Sequence, residues 1–292
     1  MNKFSFNPLK YPICLAFPSW LEETTWGEHI PFGMFSVNAL RPKVLVELGT
    51  FRGTSYCAFC QAVKTTKMET KCFAVDTWQG DEHAGSLEPS ALPKLRAHHD
   101  PLYKDFSRLI QSTFDEALHH FAEKSIDLLH IDGFHTYEAV KHDFETWLPK
   151  MSDRGVILFH DTNVRERDFG VWQLWAEVKE GRPHFEFLHG YGLGILAVGR
   201  EIPSECEFLF NANEDEVELL RELFYSLGLR IKVASIRIEV AKNKKRMKEL
   251  ESYEQFVMGR RPVSMYYSLK EKGIKDYLRY QIIKLKEKNK NK

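Results

Sequence analysis

Between residues 43 and 199 the chain alternates short apolar blocks with longer stretches whose apolar positions recur every three or four residues. "KVLVELGT" (43–50), "KCFAVDTW" (71–78), "SRLIQST" (107–113), "IDLLHID" (126–132) and "GVILFHDT" (155–162) are compact apolar runs that end on polar residues or glycine. Their shortness and their Val, Ile and Phe content predict strands buried on both faces. "SYCAFCQAVKTT", "FDEALHHFAEKS", "YEAVKHDFETWLPK" and "FGVWQLWAEVKEG" fall between or after them with helical spacing, the third stopped at Pro149 and the fourth at Gly181. "HFEFLHGYGLGILAVG" (184–199) predicts a hairpin around a glycine-rich turn.

The flanks carry a different pattern. Residues 1–25 form an irregular lead-in, and "WGEHIPFGMFSVNALRPK" predicts a short helix stopped by Pro42. The segment "DEHAGSLEPSALPKLRAHHDP" (81–101) reads as a polar connection. Beyond 204, "NEDEVELLRELFYSLG" predicts an amphipathic helix ending at Gly228, followed by a Lys/Arg/Glu-rich stretch to Met258 and a break at "GRRP". A last helix over about 270–288 sets Ile274, Tyr277, Leu278, Ile282 and Leu285 among lysines.

Strand–helix alternation with continuous apolar strands predicts an α/β fold, a doubly wound, mostly parallel sheet with an antiparallel edge from the hairpin. The division that follows is 1–203 for the α/β domain with its lead-in and 204–292 for a helical, basic extension. In such sheets ligands bind beyond the carboxyl ends of the strands. The residues there are Glu47-Leu48-Gly49, Asp76, Ser112, Asp132 and His160-Asp161, so acids gather at one edge.

Composition adds three constraints. The 292 residues balance 41 Lys+Arg against 41 Asp+Glu, which gives no general attraction to nucleic acid. The balance is uneven along the chain: residues 230–292 hold 19 basic against 7 acidic residues, and residues 1–229 hold 22 against 34. A basic tail of this kind suits a separate partner, either an anionic membrane surface or another protein of a biosynthetic complex; a solvated helix packed on a second copy of the chain fits as well. Five cysteines at irregular spacing make no disulfide framework, and no signal peptide or membrane span is legible, so a cytoplasmic, soluble chain is expected.

Three clusters carry chemistry. In "VELGTFRGTSY" a strand turns into a helix through Glu47-x-Gly49-x-x-x-Gly53; position 51 is Phe, so a pyrophosphate-cradling loop is absent, and the acid ahead of the first glycine suits a cationic ligand. Asp76 stands 27 residues after Gly49, where α/β nucleotide folds hold a ribose, although it can equally cap the next segment. Ser112 or Thr113 can cap a helix or meet an adenine edge. Asp132, His135, His160 and Asp161 end two strands that this topology makes neighbours. Converging carboxylates suit a divalent cation, His160 is a further candidate ligand, and His135 is placed as a general base.

Other features read as packing or solvent-facing. Cys57-x-x-Cys60 lies inside a helix without a second pair, and Trp172 and Trp175 have core spacing. The pairs His98-His99 and His119-His120, and Glu138, His142, Asp143 and Glu145, are assigned to outer faces.

Taken in order, Glu47-x-Gly49-x-x-x-Gly53, Asp76, Asp132 and Asp161 resemble class I S-adenosylmethionine-dependent methyltransferases. The stretches "VLVELGTFRGTSYCAFCQAV", "FAVDTWQGD", "LLHIDGFHTYEAVKHDFETWLP" and "GVILFHDTNVRE" are similar to the bacterial sugar O-methyltransferases of the macrocin and mycinamicin type and their polysaccharide-cluster relatives, over about residues 25–200. The resemblance implies a Rossmann-like, seven-stranded sheet and S-adenosylmethionine as cofactor. It places the methionine part at Glu47, Gly49, Thr50 and Gly53, the ribose at Asp76, and further cofactor contacts at Ser112 and Asp132. It also implies Mg²⁺ or Mn²⁺ at Asp132, His160 and Asp161, with His135 as base and Asp132 beside it in catalysis. His160 departs from the acidic residue that the family has at that place. The reaction implied is methyl transfer to a hydroxyl of a sugar or glycan; a catechol-like acceptor, or a non-catalytic cofactor- or glycan-binding role, are the alternatives. The acceptor is expected to meet residues 80–105 and the lead-in.

Overall fold

The structure is a computed structural model and describes residues 6–22, 24–83 and 85–258. Its strands are β1 (Val44–Leu48), β2 (Lys71–Asp76), β3 (Gly80–Asp81), β4 (Gly85–Ser86), β5 (Ser107–Gln111), β6 (Ile126–Ile131), β7 (Met151–His160), β8 (His184–Phe187) and β9 (Leu193–Ala197). The helices are α1 (Ile30–Leu40), α2 (Thr54–Thr65), α3 (Ala91–Tyr103), α4 (Phe114–Ala117), α5 (Tyr137–Trp147), α6 (Val171–Val178), α7 (Glu207–Phe210) and α8 (Glu214–Met258), with short 3₁₀ turns that include Trp26–His29.

Seven strands form one sheet in the order β5-β2-β1-β6-β7-β9-β8, parallel from β5 to β7, with β9 antiparallel to both β7 and β8. The expected α/β architecture and its hairpin edge are present. Because side chains alternate across a strand, each strand feeds two cores. Leu45, Cys72, Ala74 and Leu128 pack under α1 and α2, while Val46, Val75, Leu129 and Ile157 pack under α5 and α6. Burying one such aliphatic side chain contributes about 1.5–3 kcal/mol, and β6 is buried along its whole length.

Register sets the site. Ile131 of β6 lies opposite Phe159 of β7, so the next residues, Asp132 and His160, emerge side by side. Glu47 of β1 lies opposite His130 of β6, on the face that packs against α1.

Three expectations need correction. The polar connection 81–101 contains the β3–β4 ribbon and most of α3; α3 has Pro101 inside it and buries only Ala91, Leu95, His99 and Tyr103, so its apolar stripe is thin. The helix expected over 114–125 stops at Ala117 and tightens into a 3₁₀ turn through His120. Gly228 does not end a helix: α8 runs through it to Met258. A side chain there would meet the backbone of Glu28, since a Cβ would lie 2.3 Å from the Glu28 carbonyl oxygen. The chain divides into compact units after Ile236, because Leu220, Phe224 and Ile231 of α8 are buried in the same core as Phe6 and Phe35. The basic segment 270–288 lies outside the described residues.

Candidate functional site

The carboxyl ends of β1, β2, β6 and β7 border a cavity of about 820 Å³, where the strand-end rule puts a ligand. Gly49, Thr50, Asp76, Asp132, His135 and Asp161 line it; Glu47, Gly53, Ser112 and His160 do not. The lead-in contributes Thr24, Thr25 and Trp26, and the 80–105 region contributes Gly80, Asp81, His83 and Leu87. Val164, Glu166, Arg167 and Phe169 of the loop after β7 form a further wall that sequence reasoning left out.

The β1–α2 turn is built by Asp76. Its Oδ2 accepts from the backbone N–H of Thr50 at 2.8 Å and of Phe51 at 2.7 Å, and Oδ1 accepts from Trp78 N–H at 2.6 Å. Burial raises its pKa, against the pull of these three donors. A carboxylate offers about four acceptor positions, so Oδ1 keeps capacity for a ligand hydroxyl. Gly49 sits at φ +86°, and a Cβ there would fall 1.9 Å from the Asp132 carbonyl oxygen. Its freedom serves the close approach of two strand ends. Gly53, at φ +80°, caps α2, and its missing Cβ makes room for Leu95. Of a ligand or a helix that could approach closely at Gly53, it is helix α3, through Leu95, that does so. Ser112 Oγ donates to Glu116 at 3.3 Å, while Thr113 is the cap of α4, accepting from Glu116 N–H at 3.3 Å.

Glu47 lies below the cavity, fully buried. The Trp26 indole donates to His130 Nε2 at 3.0 Å, so His130 Nδ1–H donates to Glu47 Oε1, also 3.0 Å away. Burial raises the Glu47 pKa, with His130 and Ser55 pulling the other way. Glu47 therefore props the lead-in against the sheet rather than lining the ligand space. Thr50 is the opposite case: its Oγ1 is buried without a hydrogen-bond partner among the described residues and the residue borders the cavity, which fits a polar ligand there.

Asp132, His135 and Asp161 bring ligand atoms within 4.8 Å of one another, an arrangement that can hold a metal ion. His135 Nε2 is 3.0 Å from Asp161 Oδ2 and 3.7 Å from Asp132 Oδ1. Asp161 is held at φ +62°, a left-handed backbone that Asp tolerates better than most residues. His160 has another place than the one expected of a ligand. Its Nδ1 donates toward Asp132 Oδ1 at 3.1 Å and Asp161 Oδ2 at 3.2 Å, and its Nε2 donates to the Gly190 carbonyl at 3.1 Å. Both ring nitrogens face acceptors, which makes it a buried imidazolium between two carboxylates.

The pKa directions agree. Burial would lower His160, yet Asp161 and Asp132 raise it well above the ordinary histidine range. Burial would raise Asp132 and Asp161, yet His160 and His135 pull Asp132 well down and bring Asp161 to about 2. Burial also opposes charge on His135, but hydrogen bonds to Asp132 and Asp161 lift it to about 9. Two carboxylates and two imidazolium rings balance.

Two residues absent from the sequence reading complete this cluster. His83 Nδ1 is 3.3 Å from His135 Nδ1, and His83 Nε2 is 2.6 Å from Asp168 Oδ1. Asp143, expected on an outer face, is buried beside the Gly133 turn, and burial pushes its pKa up to about 7. Glu138, His142 and Glu145 are exposed as expected. His99 is buried as well, bonded to Asp100 at 2.8 Å and Ser107 at 2.7 Å, so it pins α3 to β5 instead of facing solvent. Cys57, Cys60 and Trp175 are core residues.

Residues 46–162 match the methyltransferase-domain family. Protein y4gI of Sinorhizobium fredii (strain NBRC 101917 / NGR234) is 54% identical over 179 residues, which cover 61% of this chain and 20% of y4gI; the chain thus spans about a fifth of that relative. Among solved structures, a methyltransferase from Geobacter sulfurreducens is 14% identical with a TM-score of 0.44, covering 61% of this chain and 80% of that one. The SAH-bound methyltransferase PaMTH1 of Podospora anserina is 15% identical with a TM-score of 0.43, covering 58% of this chain and 77% of its own. The family match spans β1 to the end of β7, where the cavity residues stand, on a sheet of the Rossmann-like order described above.

Proposed function

We propose that the chain transfers a methyl group from S-adenosylmethionine to a hydroxyl of a sugar or glycan, with a divalent cation at the acceptor end. The observation that carries this reading is the convergence of Asp132, His135 and Asp161 on the same cavity as Asp76 and Thr50. S-adenosylmethionine, when bound, supplies an electrophilic methyl on a sulfonium; Asp76 has one carboxylate position left for its ribose, and Thr50 Oγ1 lacks a partner among the described residues. The acidic lining around Asp76, Asp132 and Asp161 suits a cationic cofactor.

Methyl transfer is an in-line displacement, so the protein must align a hydroxyl and take its proton. His135 Nε2 is the base: it lies on the side of the two carboxylates that orient the hydroxyls. In the cation-free chain His135 holds its proton up to about pH 9, the wrong state for a base. A divalent cation held by Asp132 and Asp161, with His135 beside it, would acidify a vicinal hydroxyl and counter the negative charge that keeps His135 protonated. Phe51, Phe114, Phe134 and Phe169 also line the cavity and favour a second reading, a flat catechol-like acceptor in the same place. The basic tail belongs to the proposal as a contact to an anionic membrane surface or to a partner in glycan synthesis.

The test is methyl transfer by the full chain from S-adenosylmethionine to a panel of vicinal-diol sugars and catechol, with Mg²⁺, Mn²⁺ or EDTA, scored by product mass. Turnover of a sugar that EDTA abolishes is expected. Asp132→Ala and His135→Ala should lose turnover while calorimetric binding of S-adenosylmethionine persists. Unchanged turnover in both variants would sink the mechanism, and turnover of catechol alone would replace the acceptor.

A further inference from the structure

His83 reaches the site from a loop, not from the sheet. Gly80–Asp81 and Gly85–Ser86 pair as a short ribbon, and the Asp81 side chain accepts from the His83 backbone N–H at 2.7 Å, a local turn that fixes this part of the loop. The His83 ring stacks 4.5 Å from Phe169 and lies 4.7 Å from Phe134, and its side chain is only 5% exposed. His135 stacks on Phe169 too, at 4.7 Å and an interplanar angle of 10°. One phenyl ring therefore sets the planes of both imidazoles.

Hydrogen positions follow from donor and acceptor chemistry. An ionised carboxylate only accepts, so His83 Nε2, 2.6 Å from Asp168 Oδ1, carries a hydrogen. The second nitrogen of a neutral imidazole is an acceptor, so His83 Nδ1 offers a lone pair across 3.3 Å. The atom facing it, His135 Nδ1, must donate. That leaves His135 Nε2, 3.0 Å from Asp161, as the nitrogen whose proton can come and go.

We propose that His83 and Asp168 are positioning residues for His135: Asp168 fixes the tautomer of His83, and His83 fixes the tautomer and ring orientation of His135. Outer partners of this kind orient an imidazole and keep the useful nitrogen turned to the reacting group. The role in turnover rests on the reading of His135 as base; the hydrogen-bond chain itself does not.

The experiment has two arms. In the full chain labelled with ¹⁵N-histidine, NMR should show a coupling across the hydrogen bond between the two Nδ1 atoms, with His83 Nε2 protonated. With His135 in its neutral form, His83→Ala should remove it and leave His135 as a mixture of tautomers, whereas His83→Asn places an amide oxygen near the lost Nδ1 and should restore one tautomer. In the turnover assay His83→Ala and Asp168→Ala should lower kcat about 10–100-fold, with KM for S-adenosylmethionine and the melting temperature unchanged, and His83→Asn should recover most of the loss. An unprotonated His135 Nδ1, wild-type kcat in His83→Ala, or a fall in melting temperature and a rise in KM that track kcat would overturn the proposal. If the wild-type chain methylates nothing in the panel, the assignment of His135 as base fails, and the NMR arm alone decides whether the pair exists.

Discussion

Single residues decide what the acceptor end of the cavity can hold, through a count of charge. Asp132 and Asp161 bring two negative charges, His160 is locked between them as one positive charge, and the proton on His135 supplies the second. A divalent cation arriving at this cluster should displace that proton, because the His160 ring is held by acceptors at both nitrogens. Cation binding should therefore release close to one proton near neutral pH, and affinity should climb with pH until about 9, where His135 is already neutral. Titration of Mn²⁺ into weakly buffered protein with an indicator dye measures both; affinity independent of pH would refute the charge count. Stability has the matching sign. His135 has a folded pKa above the ordinary value of about 6.5, so its pairing stabilises fully below that pH and is lost as pH rises through about 9. The melting temperature of EDTA-treated protein should fall across that window, and His135→Ala should flatten the fall.

At the scale of elements, the packing around α8 turns on a competition between two small energies. Gly228 lies inside the helix, where Ala would gain about 1 kcal/mol of intrinsic helix preference. The same methyl would sit 2.3 Å from the Glu28 carbonyl oxygen, and overpacking of that kind costs about 1–3 kcal/mol. The contact should win, so Gly228→Ala should lower stability in urea unfolding instead of raising it. This is also why the sequence misled here: a glycine that allows a close approach looks like a glycine that stops a helix until the neighbouring backbone is known. Strands such as β1 and β6 were legible because each is a short apolar block buried on both faces. The site was legible only where strands end. Asp132, His135 and Asp161 stand at or just past the ends of β6 and β7, and the register sets those two strand ends side by side. His83 and Asp168 lie on two loops, 85 residues apart in sequence, and no spacing rule joins them. "DEHAG" and "RERDFG" offered only a histidine and acids in polar company.

For the whole molecule, the uneven charge is the feature with the widest reach. The acidic first part, with 22 basic against 34 acidic residues over 1–229, carries the cavity, and the 19 basic residues of 230–292 stand against 7 acidic ones. Among the described residues no helix is long and apolar enough to cross a membrane. The full chain should co-sediment with phosphatidylserine vesicles at low salt, stay in solution with phosphatidylcholine vesicles, and leave the anionic vesicles as salt rises past physiological strength. Equal behaviour on both lipids would reject a membrane partner and leave the protein partner.

The buried chain Trp26–His130–Glu47 has a use beyond holding the lead-in to the sheet. Trp26 is 1% exposed yet borders the cavity, and its indole N–H is committed to His130. Its emission is consequently insulated from bulk water but open to whatever fills the space beside it. The chain contains its own optical reporter of occupancy, and comparing the Trp26→Phe variant with the wild type separates its signal from that of the other five tryptophans, so ligands can be screened by intrinsic fluorescence before any acceptor is known.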